Sequence, residues 1–505
     1  MKSRFLSGFT LAAVFAVFSS PVFADISAQE VRDALVGYYE SFGYQVDIGS
    51  EETSDGSIAL NNMTLSMELP DGDGQVTVVL ESIGFAETGD GAVSIEMPEN
   101  VKNEIRFEKD SRPPVSAVLN TSLPAFQGTV SGSIDNMTIQ TSGDGMTFAV
   151  NNLSFGDEDI PVKLIMQGGP FTSEYTLEST ADNRRDLAGA SAMQGLEILA
   201  NIKEPGGPGF FTLKASLTDL TSTFGANLAD VSDPMALLAA GLEVATNIET
   251  GAFALDVAFK DRSKHFSGKI GIEDQRFAFS LSPDEISYDL AERGVSVSVS
   301  SSEIPFPTVE FAYDELGIAF GVPLSHAAEP RDYHASVALR GLSVSEMIWA
   351  MVDPAQTLPR DPATVAVDLS GKVMVLTDLM NPETLANLDH MDVPPMLPVS
   401  VVLNELTATV AGALLSGEGS FEFNFQNPNM VGGVPLPVGK ATLSLDGGYS
   451  LLDNLSALGL VPEEAAMGVR AMLGAFARPV GEDQFETVIE LTEEGTVTAN
   501  GQKIK

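Results

Sequence analysis

Apolar and polar residues alternate along most of this chain, and one alternating unit recurs. Its clearest copy is Ser57–Glu68, Ser-Ile-Ala-Leu-Asn-Asn-Met-Thr-Leu-Ser-Met-Glu. In each copy a short Asn, Asp or Gly pair separates two apolar segments, which is typical of a bend or bulge between half-buried strand segments. Further copies occupy residues 133–141, 150–155, 217–221, 339–343 and 403–407. The sequence therefore predicts a strand-and-turn unit that is repeated many times.

An alternation with a period of two gives each strand one apolar face. It is clearest at residues 253–259, 277–281 and 295–299, while the Gly- and Asp-rich segments 89–91 and 142–145 predict tight turns. We therefore predict a mainly β fold. It would be elongated and built on large curved antiparallel sheets, with a few helices packed against them.

Two helices are predicted near the ends of the chain. Residues 27–42 have apolar positions on one face, Ser27 and Glu30 form a capping box, and Gly43 ends the helix. The second helix starts after Pro462, with acidic residues in its first turn, and a closing hairpin follows it. The first helix has an apolar side and is expected to pack on a sheet, and apolar residues line one side of the second.

The strongest break in the chain is the Glu-Pro-Gly-Gly-Pro-Gly segment at residues 204–209. It divides the mature chain into residues 25–205, a helix with an antiparallel meander, and residues 206–505, a β-rich region with helical inserts that is continuous with the first. Within the second part, residues 304–324 are predicted to form a hairpin with two prolines at its edges, since proline cannot donate to a β-ladder.

Residues 1–24 have the pattern of a secretory signal peptide. Lys2 and Arg4 precede an apolar run at 9–18, and cleavage is predicted after Ala24. The apolar run is about half of the ~20 residues that a membrane helix needs. We therefore expect a cleaved signal, no transmembrane segment in the mature chain, and a periplasmic location.

Composition narrows the possible partners of the 505-residue chain. Its formal net charge is -43, which argues against nucleic acid and against electrostatic docking on an anionic membrane. It has no cysteine, which excludes disulfides, thiolate catalysis, cysteine-based zinc sites and a lipidated cysteine. A large hydrophobic fraction of 44% can coexist with this charge where the two kinds of residue occupy opposite faces of strands.

Motifs of catalysis and metal binding are not found. The four histidines are far apart, and no serine nucleophile elbow, zinc-protease helix or phosphate-binding loop occurs. We therefore expect a protein that is not an enzyme, with no catalytic residues, no cofactor and no metal site.

Arg360 is the one charged residue with two competing interpretations. It lies between two prolines and beside Asp361. In the structural interpretation its guanidinium forms a bidentate contact with a carboxylate such as Asp361 or Asp368. In the functional interpretation it binds an anionic head group.

The apolar strand faces also have two interpretations. Their phenylalanines would fill the interior of a two-sheet sandwich, or they would line the concave face of a curled sheet that holds an acyl chain. The residues concerned are Phe253, Phe259, Phe277, Phe279, Phe421, Phe423 and Phe425.

Several features together resemble an exported bacterial family, the domain-of-unknown-function family 2125. They are the signal, the helix after it, the Leu-Pro-Arg-Asp-Pro-Ala-Thr bend at 358–364 with Asp-Leu-Ser-Gly at 368–371, and the closing helix and hairpin. More distantly, the serial amphipathic strands resemble the AsmA-like β-rich envelope proteins. The first resemblance implies no catalytic residues, and the second implies an apolar groove along which lipids are guided.

These observations favour a non-catalytic periplasmic binding or scaffold protein of the cell envelope. Its expected ligand is a lipid or another apolar molecule bound along an amphipathic sheet. Two alternatives remain open at this point: a hydrolase of envelope polymers, and a purely structural partner in an envelope protein complex.

Overall fold

A computed structural model describes residues 26–41, 43–69, 74–109, 113–156, 158–180, 184–204, 207–229, 234–390, 394–425, 430–431 and 434–504. The expected signal segment and Phe42 lie outside these residues. The described residues are 65% strand and 13% helix, which confirms the predicted mainly β class with a large antiparallel sheet and packed helices.

Six α-helices lie in the part of the chain that the structure describes. They are α1 (Ala28–Ser41), α2 (Pro234–Ala239), α3 (Glu346–Val352), α4 (Pro382–Asn387), α5 (Gly448–Ala457) and α6 (Glu463–Phe476). The helix predicted at residues 27–42 corresponds to α1, and the one predicted after Pro462 corresponds to α6.

The strands fall into two compact units. Unit 1 comprises the described residues up to 229 together with 248–267, and unit 2 comprises 234–247 and the residues from 268 onward. The first strands are β1 (Gln45–Ser54), β2 (Ser57–Glu68), β3 (Gly74–Glu87), β4 (Val93–Glu96), β5 (Asn100–Lys109), β6 (Val115–Ser122), β7 (Gln127–Ser133), β8 (Asn136–Gly143), β9 (Met146–Phe155), β10 (Glu158–Gly168), β11 (Phe171–Thr180), β12 (Arg184–Lys203) and β13 (Phe210–Ala229). Residues 204–209, where we expected the division, lie between β12 and β13, which pair with each other inside unit 1.

The later strands complete the list. They are β14 (Glu243–Thr250), β15 (Phe253–Asp261), β16 (Lys264–Ile272), β17 (Asp274–Leu281), β18 (Glu285–Ser301), β19 (Val309–Pro323), β20 (Arg331–Val344), β21 (Ala363–Val375), β22 (Met396–Val410), β23 (Ala413–Phe423), β24 (Met430–Val431), β25 (Val434–Pro435), β26 (Pro437–Asp446), β27 (Arg478–Gly481), β28 (Gln484–Leu491), β29 (Val497–Ala499) and β30 (Gln502–Lys503).

Helix α1 covers the largest buried core, which lies in unit 1. Its capping box forms as predicted: the Ser27 backbone N–H donates to Glu30 Oε2 at 2.9 Å, and the Glu30 N–H donates to Ser27 Oγ at 3.3 Å. These bonds from Ser27 hold the pKa of Glu30 below its ordinary value. The apolar side of α1 packs on β1, β2 and β3, where Leu60 and Met63 are 0% and 1% exposed.

The repeated sequence unit marks bends within strands. Its central residue adopts a positive φ in three copies: Asn62 in β2 (53°), Asp219 in β13 (50°) and Gly341 in β20 (69°). A left-handed residue interrupts the alternation, so the apolar positions of β20 are odd before Gly341 and even after it. In β22 the copy at 403–407 contains a shift of register instead, and the copy at 133–141 contains the turn between β7 and β8.

The sheet of unit 2 is a serial antiparallel array. Strands β17, β18, β19, β20, β21, β22, β23, β26 and β28 follow one another in space, and each pairs with the next. The hairpin predicted at 304–324 is wrong, because β19 runs unbroken through this segment between β18 and β20. Gly321 gives a close approach between strands here: a Cβ on it would lie 2.4 Å from the His334 ring.

Candidate functional site

The register of unit 2 aligns apolar side chains into rows on one face of its sheet, which we call the apolar face. Three rows cross successive strands from β17 or β19 onward. The first contains Phe279, Tyr288, Phe320, Ala335, Leu369 and Leu403, the second Phe277, Leu290, Ile318, Val337, Val367 and Leu406, and the third Leu316, Leu339, Val365, Ala408, Leu415 and Leu445. Each row crosses six strands, which at about 4.8 Å apart gives a length of about 24 Å.

The middle of the apolar face is open. Val337 and Val365 lie on central strands of the array, yet each is 54% exposed. Among the described residues, the backbone of β19, β20, β21 and β22 closely approaches that of their neighbouring strands and of no other helix or strand to a comparable extent. The other side chains of the three rows are partly buried. An exposed apolar patch at the centre of a sheet is a candidate binding site, because monomeric soluble proteins keep such patches small.

The opposite face of the same strands is polar. Arg340 forms a bidentate contact with Glu405, with nitrogen–oxygen distances of 3.0 and 2.7 Å, and its Nε lies 3.7 Å from Glu315. The hydrogen bond to Glu405 raises the pKa of Arg340 despite burial, and the same bond lowers the pKa of Glu405. Ion pairs between strands thus stabilise the polar face, while no ion pair between described residues lies among the three apolar rows.

One polar pair interrupts the apolar face near the bend of β18. Glu292, the register partner of Leu316, accepts a hydrogen bond from the Tyr313 hydroxyl at 2.9 Å. Burial raises the pKa of Tyr313, and the bond to Glu292 raises it further, to about 12. Tyr313 therefore stays neutral at physiological pH and donates a fixed hydrogen bond beside the apolar rows.

The structure brings together four of the seven phenylalanines that the sequence singled out. Phe277, Phe279, Phe421 and Phe423 lie on the apolar face of unit 2 by register. Phe425 follows β23 and is 43% exposed. None of the seven side chains is buried.

The two remaining phenylalanines belong to β15 in unit 1. Phe253 pairs with Leu217, and Phe259, which is 42% exposed, pairs with Phe211 on β13. They continue an apolar face of that unit's own sheet, which includes Leu213, Leu196 and Ile198 on the neighbouring strands.

Arg360 contacts residues at both ends of α3. Its guanidinium contacts Glu346, Nη2 donates to the Asp353 carbonyl oxygen at 3.2 Å, and its Cζ lies 5.6 Å from the ring centre of Trp349. The carboxylate that Arg360 contacts is therefore not Asp361 or Asp368, the two partners considered from the sequence. Asp368 instead accepts a hydrogen bond from Asn404 at 2.7 Å.

The bend that carries Arg360 is anchored by Asp353, which is 0% exposed. Burial raises the pKa of the Asp353 carboxyl, but hydrogen bonds from the Thr357 and Leu358 backbone N–H groups, at 2.9 and 2.8 Å, lower it by more. The net pKa is below its ordinary value, so the carboxylate is charged and caps the turn that precedes Pro359.

Replacing Arg360 with alanine is expected to lower the free energy of unfolding of unit 2 by about 1 kcal/mol. The variant loses a partly exposed ion pair and a cation–π contact, each of which contributes about 0.5–1 kcal/mol. The melting temperature should fall by about 2–4 °C, and the fluorescence of Trp349, the single tryptophan, should shift.

Arg276→Ala is the control for this variant, because Arg276 pairs with Asp289 on an exposed surface, whereas the cation–π contact with Trp349 comes from Arg360. It should change the melting temperature less and leave the Trp349 emission unchanged. A wild-type melting temperature for Arg360→Ala would contradict the structural role and leave the head-group interpretation standing.

Catalytic constellations are not apparent in the described part of the chain. No group of three or more His, Asp or Glu side chains there has the geometry of a metal site. No described helix is both long and apolar enough to cross a membrane. Comparison with known proteins finds no family model, curated protein or solved structure that matches this chain.

Proposed function

We propose that this chain is a non-catalytic binding protein that holds the acyl chain of a lipid along the apolar face of unit 2. The observation that supports this most directly is the exposure of Val337 and Val365 at the centre of three apolar rows. A closed core would bury these side chains, as unit 1 buries Leu60.

The dimensions and chemistry of the face suit an acyl chain. One leaflet of a bilayer holds acyl chains about 15 Å long, half of the ~30 Å hydrocarbon thickness. A row of about 24 Å across six strands is longer than one such chain. Its rows consist of aliphatic and aromatic side chains, and the polar Glu292–Tyr313 pair lies at one border.

The proposed location is the periplasm, after cleavage of the predicted signal at Ala24. The acidic chain, with a formal net charge of -43, would not be drawn to an anionic membrane surface by charge. Apolar contact with the lipid chain is therefore proposed as the main source of affinity, at about 0.8 kcal/mol for each buried methylene.

The first experiment is native mass spectrometry with lipid extraction on the mature protein purified from its own periplasm. Co-purified phospholipid or fatty acid at near-stoichiometric amounts would support the proposal. A ligand-free mass would contradict it and direct the search to protein partners.

Val337→Lys is expected to weaken the binding of an uncharged fluorescent acylglycerol at least tenfold. The ammonium would have to be desolvated beneath the acyl chain, while the half-exposed position lets the free protein fold. Ser336→Lys is the matched control, because the adjacent residue of β20 lies on the polar face, opposite Asp368. Equal affinities for the two variants would exclude the apolar face as the binding site.

A structural role in an envelope protein complex is the second candidate, and helix α6 favours it. Met467, Met472 and Phe476 on this helix are 56%, 60% and 38% exposed, although helices of this apolar composition are usually covered. This role predicts a ligand-free mass in the experiment above, together with a cross-linked partner on α6.

A further inference from the structure

A cleft of about 570 Å³ lies in unit 1, separate from the apolar face of unit 2. Four strands, β8, β11, β12 and β13, contribute to its lining. The lining includes one residue from each of them, in that order Ser142, Phe171, Met193 and Leu220. Small-molecule sites usually measure about 300–1,000 Å³, so the cleft has the size of a ligand site.

The floor of the cleft is apolar and firmly supported. Phe171 and Met193 are 5% and 8% exposed and belong to a buried cluster with Leu123 and Met146. Gly143 lies directly against this floor, because a Cβ on it would be 2.7 Å from the Phe171 ring. The floor is therefore a packed surface that exists before any ligand binds.

The rim of the cleft is polar, and its side chains point to no partner within the described protein. Seven polar side chains line it: Gln127, Ser142, Asp144, Thr172, Gln194, Asp219 and Thr221. Within the described residues, none of these seven side chains forms a hydrogen bond or an ion pair with the protein. This density of free donors and acceptors differs from the neighbouring sheet, where Gln140 bonds to Glu174 and Ser191 to Ser222.

The chemistry of the rim excludes several ligand classes. The cleft is lined by two carboxylates and by no Lys, Arg or His, so it does not suit an anion. An ammonium group offers three donors and no acceptor, so it would make no use of the exposed amide and hydroxyl donors of Gln127, Gln194 and Thr221. A polyhydroxylated ligand satisfies both kinds of group, because each of its hydroxyls donates and accepts.

We propose that this cleft binds an uncharged carbohydrate of one or two rings. The hydroxyls of the sugar bond to the carboxylates and amides of the rim, and the C–H face of one ring lies on Leu220, with Phe171 and Met193 beneath it. Asp219 is the left-handed residue of the repeated unit at 217–221, and Ala125, on the same rim, has a φ of 52°. The bend that shapes β13 thus also places an acceptor at the site.

Saturation-transfer NMR and titration calorimetry on the full mature chain test this assignment, with cellobiose and chitobiose as probes and choline as the cationic comparison. We expect saturation transfer to at least one disaccharide, with a dissociation constant below about 10 mM. The double variant Asp144→Ala/Gln194→Ala removes two exposed rim groups and should weaken binding at least tenfold.

The matched control is Gln45→Ala/Asp47→Ala, which removes the same two side-chain types from exposed positions of β1. It should bind like the unaltered protein. Three results would overturn the proposal: no binding of either disaccharide, tighter binding of choline than of both sugars, or equal affinity in the rim variant and the control. None of these outcomes depends on the acyl-chain site of unit 2.

Discussion

Leu60→Ala is expected to lower the free energy of unfolding of unit 1 by about 3–5 kcal/mol, the range for a fully buried leucine whose cavity does not collapse. Leu60 is 0% exposed and lies beneath α1, in the largest buried cluster of the unit, with Val31 and Phe85 around it. Denaturant unfolding followed by hydrogen exchange at the amides of β2 measures the loss within this unit.

Val118→Ala on β6 is the control for this cavity. Val118 is 43% exposed, so its truncation removes little buried surface and should cost less than about 1 kcal/mol. If both variants lose similar stability, the cluster beneath α1 is not the core of unit 1.

Gly371→Ala is expected to cost about 2–3 kcal/mol in unit 2, because the added methyl has no space between two paired strands. A Cβ at this position would lie 2.1 Å from the backbone oxygen of Ser400 on β22 and 3.0 Å from the Tyr333 ring. The Tyr333 hydroxyl also donates to that oxygen at 3.3 Å, so relief of the clash would disturb three strands. Thermal unfolding followed by the fluorescence of Trp349 measures the change.

Gly468→Ala in α6 makes the same chemical change with the opposite expected sign. No heavy atom would lie within 4 Å of a Cβ there, and alanine in a helix interior is favoured over glycine by about 0.5–1 kcal/mol. Comparison of the Gly371→Ala and Gly468→Ala variants separates a steric conflict from a general effect of replacing glycine. A stable Gly371→Ala protein would show that β21 and β22 can move apart at little cost.

Local signals in the sequence were sufficient to predict the ends of α1 and the bends within strands. Ser27 and Glu30 form the cap that was predicted, since a capping box involves residues only three positions apart. Asn62, Asp219 and Gly341 tolerate a positive φ better than most residues, so their pattern predicts the bends of three strands. The hairpin predicted at residues 304–324 was wrong because the prolines precede a single strand, β19, in which Gly321 allows close packing against β20.

A local sequence pattern cannot predict contacts between residues that are far apart in the chain. The Pro-Arg-Asp-Pro bend was recognised, but the carboxylate that meets Arg360 belongs to α3, 14 residues away, and no sequence signal distinguishes Glu346 from the nearer Asp361. The phenylalanines show the same limit. Alternation placed each one on an apolar face, but only the register of β17, β18 and β23 shows which of them share a face.

The order of strands in unit 2 has a consequence for the kinetics of folding. From β18 to β23 each strand pairs with the one that precedes it in the chain, so no pairing closes a connection longer than the 20 residues between β21 and β22. The entropy lost on closing a loop rises with its length, and β proteins with distant pairings fold slowly for this reason. The array of unit 2 can instead lengthen by one hairpin at a time, so its folding rate should depend on local turns such as Ser282 to Asp284 and not on the meeting of distant ends.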